Sequence, residues 1–234
     1  VIVPAMGGSS VVALHRPTSA AVLTYDDGPT PGVTDVLLEV LADAGATATF
    51  FVLLTRVRAC PGLFREVMSA GHEIGLHGAD HLRLTSLPPD SHLSRFRDAK
   101  AELEELAGVP VRWSRPPYGA QDRASWRAAR DVGLQPVLWN VACQDWETHP
   151  PEEYLGELRA TDPAGSVVLL HDGYADQRDG VDDGAPPILD RIALTRSVLD
   201  VLTGAGLAVC SLGEALESGE PEHRPWLEEL GDPS

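Results

Sequence analysis

The stretch Ala20-Ala-Val-Leu-Thr-Tyr-Asp-Asp-Gly-Pro29 decides how the chain is read. Its first six residues are apolar or β-favouring and read as a buried strand, Ala20–Tyr25. Asp26 and Asp27 stand directly before Gly28-Pro29, a pair of turn formers, so both carboxylates project from the strand's carboxyl end. In barrels of parallel strands, catalytic groups gather at that end. Alone, Asp-Asp-Gly-Pro is equally an ordinary turn.

Working outward, the same pattern repeats. Strand-length runs at Thr47–Leu54, Glu73–Leu76, Val111–Ser114, Pro136–Asn140, Ser166–Leu170 and Leu207–Ser211 bring the count to seven. Between them lie amphipathic, helix-length runs: Thr34–Ala44 with Gly45 behind it, Leu63–Ala70 closed by Gly71, Leu93–Ala107, and stretches near Ala124–Val132, Glu152–Arg159 and Ile188–Thr203. Strand alternating with helix predicts an α/β fold, a single-domain distorted (β/α) barrel with about seven parallel strands. Residues 1–19 read as an N-terminal extension, 20–213 as the barrel domain, and 214–234 as an acidic, mobile surface tail. Only Trp226 and Leu227 offer that tail a place to dock.

Composition narrows the function. The chain has 234 residues, with 18 Lys+Arg against 35 Asp+Glu and a formal charge of −17. Such a surface repels nucleic acid and anionic membranes, so neither is expected as a partner. No apolar run approaches the ~18 residues of a membrane span. The opening Val-Ile-Val-Pro-Ala-Met lacks the basic-then-apolar order of a secretory signal, which leads us to expect a cytoplasmic protein. Cys60, Cys143 and Cys210 form no Cys-x-x-Cys pair and read as reduced, buried thiols. Oligomeric state is not legible.

Four more polar clusters follow predicted strands. His77-Gly-Ala-Asp-His81 sets two imidazoles four residues apart, able to share a metal if the segment coils, or else to be plain surface histidines. In Arg115-Pro-Pro-Tyr-Gly119 two prolines stiffen the backbone around Arg115 and Tyr118. Gln144-Asp145-Trp146 and Leu169-Leu170-His171-Asp172 complete the set. Each has a bland reading; five clusters on one rim point to a site.

Taken in order, these segments resemble the five motifs of the polysaccharide deacetylase family, the NodB-type carbohydrate esterase family 4, over residues 20–212. The resemblance implies hydrolysis of N-acetyl groups from amino sugars. It makes Asp27, His77 and His81 the metal ligands, Asp26 the general base and His171 the general acid. Asp145 becomes the partner of His171, and Arg115 the group that orients the base. Trp146 and Leu169 would pack around the acetyl methyl, and the Tyr118 backbone N–H would face the oxyanion. Zn2+ suits these ligands, with Co2+ or Ni2+ as alternatives. Two departures stand out: Gly78 where the family usually has Ser or Thr, and Ala142 where an acidic residue is frequent.

The expected partner is an N-acetylated sugar or glycoconjugate. The likeness extends to N-acetylglucosaminyl deacetylases that tailor teicoplanin-type glycopeptide antibiotics, against the alternatives of chitooligosaccharide, peptidoglycan or a non-sugar amide. Absence of Gly-x-Ser-x-Gly disfavours a serine hydrolase. Trp113, Trp139 and Trp146 fall near the predicted rim, where they favour a sugar, or else belong to the core. The Asp-rich, Gly-rich segment Asp172–Pro187 reads as either a lid over a bulky substrate or a solvated loop.

Overall fold

A computed structural model describes residues 8–228. Its elements in chain order are β1 (Ser9–Leu14), β2 (Ala20–Asp26), α1 (Thr34–Asp43), β3 (Thr49–Leu53), α2 (Leu54–Ala59), α3 (Pro61–Ser69) and β4 (Glu73–Gly78). There follow α4 (His92–Ala107), β5 (Trp113–Ser114), α5 (Arg123–Asp131), β6 (Gln135–Pro136), β7 (Val141–Ala142), α6 (Gly156–Ala160) and β8 (Val167–His171). The chain closes with α7 (Arg191–Gly204), β9 (Ala208–Cys210), α8 (Leu212–Ser218) and β10 (Pro221–Pro225). The sheet runs β6-β5-β4-β3-β2-β8-β7, with β9 also against β2, and every pairing in it is parallel. This is the expected α/β architecture, curled into a half-barrel.

Period-two alternation explains what faces where. Ala21, Leu23 and Tyr25 of β2, Phe50 and Val52 of β3, and Val168 and Leu170 of β8 join the large core under the helices. The intervening Val22, Phe51 and Val167 join a second cluster on the other face. That second face is the concave one, and continuing the alternation brings Asp26, Leu169 and His171 onto it. Register completes the placement: Asp26 pairs with Phe51 on one side and with His171 on the other.

The expected strand Pro136–Asn140 is instead two short strands on opposite edges, β6 against β5 and β7 against β8. Residues 137–140 cross the gap. The Val137 and Leu138 carbonyls leave the ladder because they accept hydrogen bonds from the Arg115 side chain, at 3.1 and 3.0 Å. Helix α2 was not expected, and the run near Glu152–Arg159 is helical only over Gly156–Ala160, after a 3-10 turn.

The two chain ends also differ from the expectation. β1 pairs antiparallel with β10, and β1 also bridges Val137 and Ser166, the two sides of the barrel's opening. The segment read as a mobile tail therefore holds most of α8, with Ala215 buried in the concave cluster, and a strand. Trp226 lies 5.3 Å from the Trp139 ring, and its indole N–H donates to the Gly119 carbonyl. Residues 229–234 of that tail lie outside the described residues, as do residues 1–7 of the extension. Stopping the chain at Ser218 should lower the melting temperature by about 4–8 °C, the effect of losing ~2 kcal/mol in a domain of this size. An unchanged thermal transition would show that the terminal ribbon is a mere appendage.

Candidate active site

All ten predicted site residues come together at the carboxyl ends of the strands. A pocket of about 350 Å³ is lined by Asp26, Asp27, His77, His81, Tyr118 and His171, with Trp139, Trp146 and Leu169 among its apolar walls. Arg115 and Asp145 stand behind it, fully buried. Asp27 has φ 75° and Tyr118 φ 61°, left-handed values that turn both chains sharply at the strand ends. Gly28 is required where it is: a Cβ there would lie 1.9 Å from Asp172 Oδ2. Gly78 has a similar reason, since its Cβ would meet the Asp80 carbonyl oxygen at 2.4 Å.

Asp27, His77 and His81 are buried with their ligand atoms within 4.8 Å of one another, the one such group among the described residues. His77 Nδ1 lies 2.8 Å from the Arg115 carbonyl oxygen. A carbonyl only accepts, so Nδ1 carries the hydrogen and the neutral ring offers a lone pair at Nε2. That lone pair sits 3.3 Å from Asp27 Oδ1, and His81 Nε2 sits at the same distance. Asp27 Oδ1 is buried without a hydrogen-bond partner. Two nitrogens converging on one orphaned carboxylate oxygen fit a divalent cation, and three protein ligands leave positions open for substrate.

Beside this triad, the Arg115 guanidinium donates to Asp26 Oδ1 at 2.8 Å and to Thr24 Oγ1 at 2.8 Å. Its remaining N–H groups bind the two crossover carbonyls, and its plane lies 4.2 Å from the Phe51 ring centre. Burial pulls the guanidinium's pKa down from its ordinary value, with Asp26 opposing the shift. Asp26 thus keeps one oxygen engaged and the other available toward the pocket.

On the neighbouring strand, His171 Nδ1 donates to Asp145 Oδ1 at 2.7 Å, and the His171 backbone N–H donates to Asp145 Oδ2 at 2.8 Å. Arg191, at the start of α7, donates to the same Oδ2 at 2.7 Å. Burial alone would push the imidazole down; the Asp145 charge and hydrogen bond, helped by Asp27 and Asp26, hold it up at about 9. The Trp146 ring stands edge-on to His171 at 5.8 Å.

Sequence reading missed three contributors. Arg191 carries no motif signal; it is one arginine at a helix start. Asp183, on the segment read as a lid or a solvated loop, lines the pocket and accepts from the Tyr118 hydroxyl at 2.7 Å. Asp179, on the same segment, is fully buried against Arg56. Of the two readings for Trp113, the structure takes the core one: its indole N–H binds Glu73 Oε1 at the start of β4 and its ring packs in the concave cluster. Trp139 and Trp146 do line the pocket.

The polysaccharide deacetylase family model matches residues 14–137. The chain belongs to the polysaccharide deacetylase family. It is 32% identical over 192 residues to a chitooligosaccharide deacetylase of Azorhizobium caulinodans, covering 82% of this chain and 91% of that protein. A peptidoglycan-N-acetylglucosamine deacetylase of Bacillus cereus is 34% identical over 161 residues, 68% of this chain and 75% of the relative. Among solved structures, a family 4 carbohydrate esterase from Streptomyces lividans in complex with acetate superposes with a TM-score of 0.69 at 26% identity, over 82% of this chain and 91% of that one. As a member of this deacetylase family the chain is a hydrolase, and among its described residues no helix is long and apolar enough to cross a membrane.

The His171 environment yields a pH prediction. An imidazole with a raised pKa contributes stability fully present below its unfolded value near 6.5, and lost as the pH rises through about 9. In deacetylase stripped of divalent ions, Asp145→Asn should drop the His171 pKa well below 9, because burial is then opposed only by the weaker pull of Asp27 and Asp26. Imidazole NMR titration checks this; a variant still titrating near 9 would remove Asp145 as the cause.

Proposed function

We propose that the chain removes the acetyl group from the nitrogen of an N-acetylglucosamine-type sugar. The observation that carries this reading is the register pairing of Asp26 with His171. It puts a carboxylate and a protonated imidazole on adjacent strands of one pocket, flanking the Asp27–His77–His81 cluster. A divalent ion held by those three residues, with Zn2+ the best match and Co2+ or Ni2+ workable, would polarise the amide carbonyl and acidify water.

The chain's own groups then divide the proton work. Asp26, oriented through its bond to Arg115, accepts the proton of the water that attacks the carbonyl carbon. His171 has Nδ1 committed to Asp145, so Nε2 delivers a proton to the departing sugar nitrogen as the C–N bond breaks. The Tyr118 backbone N–H is the chain's candidate donor to the developing oxyanion, in a turn held by its left-handed φ. Leu169 and Trp146 supply the apolar wall for the acetyl methyl, and Trp139 a face for the sugar ring.

Relatives named for chitooligosaccharide and for peptidoglycan deacetylation support an N-acetylglucosamine unit as the common substrate element. Acetate release from a panel tests it: chitooligosaccharides, muropeptides, a glycopeptide antibiotic carrying N-acetylglucosamine, and an acetylated non-sugar amine. We expect the sugars to exceed the non-sugar amide; the reverse order would overturn the sugar reading. On the best substrate, Asp26→Asn and His171→Ala should each lower kcat by about 10²–10⁴-fold. A variant with near-normal turnover would clear its residue of the proposed role.

A further inference from the structure

Outside the pocket, the least expected feature is a fully buried carboxylate on a surface segment. Asp179 follows the pocket-lining Tyr174 and Ala175 in the chain, and Arg56 of α2 forks onto it, with Nε 3.0 Å from each carboxylate oxygen. Thr55 Oγ1 adds a bond at 2.6 Å, and the Asp176 backbone N–H another at 3.1 Å. The same guanidinium binds the Tyr174 carbonyl at 3.0 Å and approaches Asp176 Oδ2 at 3.3 Å. One arginine thus winds the segment 174–180 around itself.

Stability is a poor reason for such a pair. Burying two charges costs about as much as their attraction returns, and apolar replacements are often neutral or better. What the pair does fix is position, because the Asp179 carbonyl oxygen accepts the His81 backbone N–H at 2.8 Å. His81 needs that help. Where His77 has its far nitrogen pinned by the Arg115 carbonyl, His81 Nδ1 is buried without a partner, and the nearest carboxylate oxygen, on Asp183, is 3.9 Å away. Its ring otherwise leans on the edge of Tyr118, at 4.4 Å. Metal-binding histidines are ordinarily oriented by a hydrogen bond at the second nitrogen. Here the orientation is carried by the main chain.

We propose that the Arg56–Asp179 pair is a positioning device for His81, setting metal affinity through the Asp179 carbonyl while holding the Tyr174–Ala175 wall of the pocket. The proposal rests on the reading of Asp27, His77 and His81 as metal ligands. It attributes no contact with substrate to either residue.

The test measures zinc affinity by competition with a chromophoric chelator, together with hydrogen exchange at the His81 amide and melting in excess chelator. Three variants serve: Asp179→Asn, Arg56→Lys, and the apolar double Arg56→Met/Asp179→Leu, which leaves no unpaired charge behind. We expect zinc to bind about 10–100-fold more weakly in Asp179→Asn and in the double variant, the range for groups that orient a ligand. Arg56→Lys, which keeps the charge and loses the fork, should fall between them and wild type. The His81 amide should exchange faster, while the metal-free double variant melts within a few degrees of wild type. Zinc affinity within twofold of wild type in the folded variants would overturn the proposal and leave the metal site standing. Wild-type protein that binds no zinc would overturn both.

Discussion

The buried guanidinium of Arg115 is the interaction on which the rest depends. It reaches Thr24 and Asp26 on β2, the Val137 and Leu138 carbonyls of the crossover, and the faces of Phe51 and Trp139. Its own backbone carbonyl fixes the tautomer of His77. One residue therefore closes the half-barrel, aims the carboxylate and sets the lone pair of a proposed metal ligand. Removing one member of such a buried pair strands the other, at a cost of about 3–5 kcal/mol. Lysine could not replace it, because a point charge lacks the planar fork that serves four acceptors at once.

Parallel register does the remaining work of assembly. Asp26 and His171 face each other across neighbouring strands, and the Leu76–Ser114 pairing brings His77 beside Arg115 as the next residue on each chain. The proposed acid and base thus stand on neighbouring strands, and the proposed ligands at the ends of β2 and β4, with turns supplying the directions. Supports outside the strands are aligned to the same purpose. Arg191 steadies Asp145, and Arg56 steadies the segment beside His81. Of the two proposed histidine ligands, His81 is held by a main-chain contact where His77 is held through its side chain.

Much of this was legible because the chemistry sits directly after the strands. A strand followed by Asp-Asp-Gly-Pro or His-x-x-x-His is a local signal, and all ten residues singled out by such signals converge. What stayed hidden depends on distance along the chain. Arg191 and Asp179 act through partners 46 and 123 residues away, and nothing in their own neighbourhoods marks them. Composition made 214–234 look like a tail; β10 exists because β1 offers it an edge, which no local pattern encodes. Residues 136–140 read as one strand, and the side chain of Arg115, more than 20 residues away, decides that they are not. For Trp113 the sequence allows rim or core, and its bond to Glu73, a partner 40 residues away, decides for the core.

The central claim is that Asp27, His77 and His81 form one metal centre at the foot of an acid–base pocket. Anomalous diffraction at the zinc edge, from crystals equilibrated with Zn2+, tests it most directly. The account predicts a single strong peak within about 2.0–2.2 Å of an Asp27 carboxylate oxygen and of Nε2 on both histidines. Zinc bound through Nδ1 of His77, or no peak at this site, would contradict it.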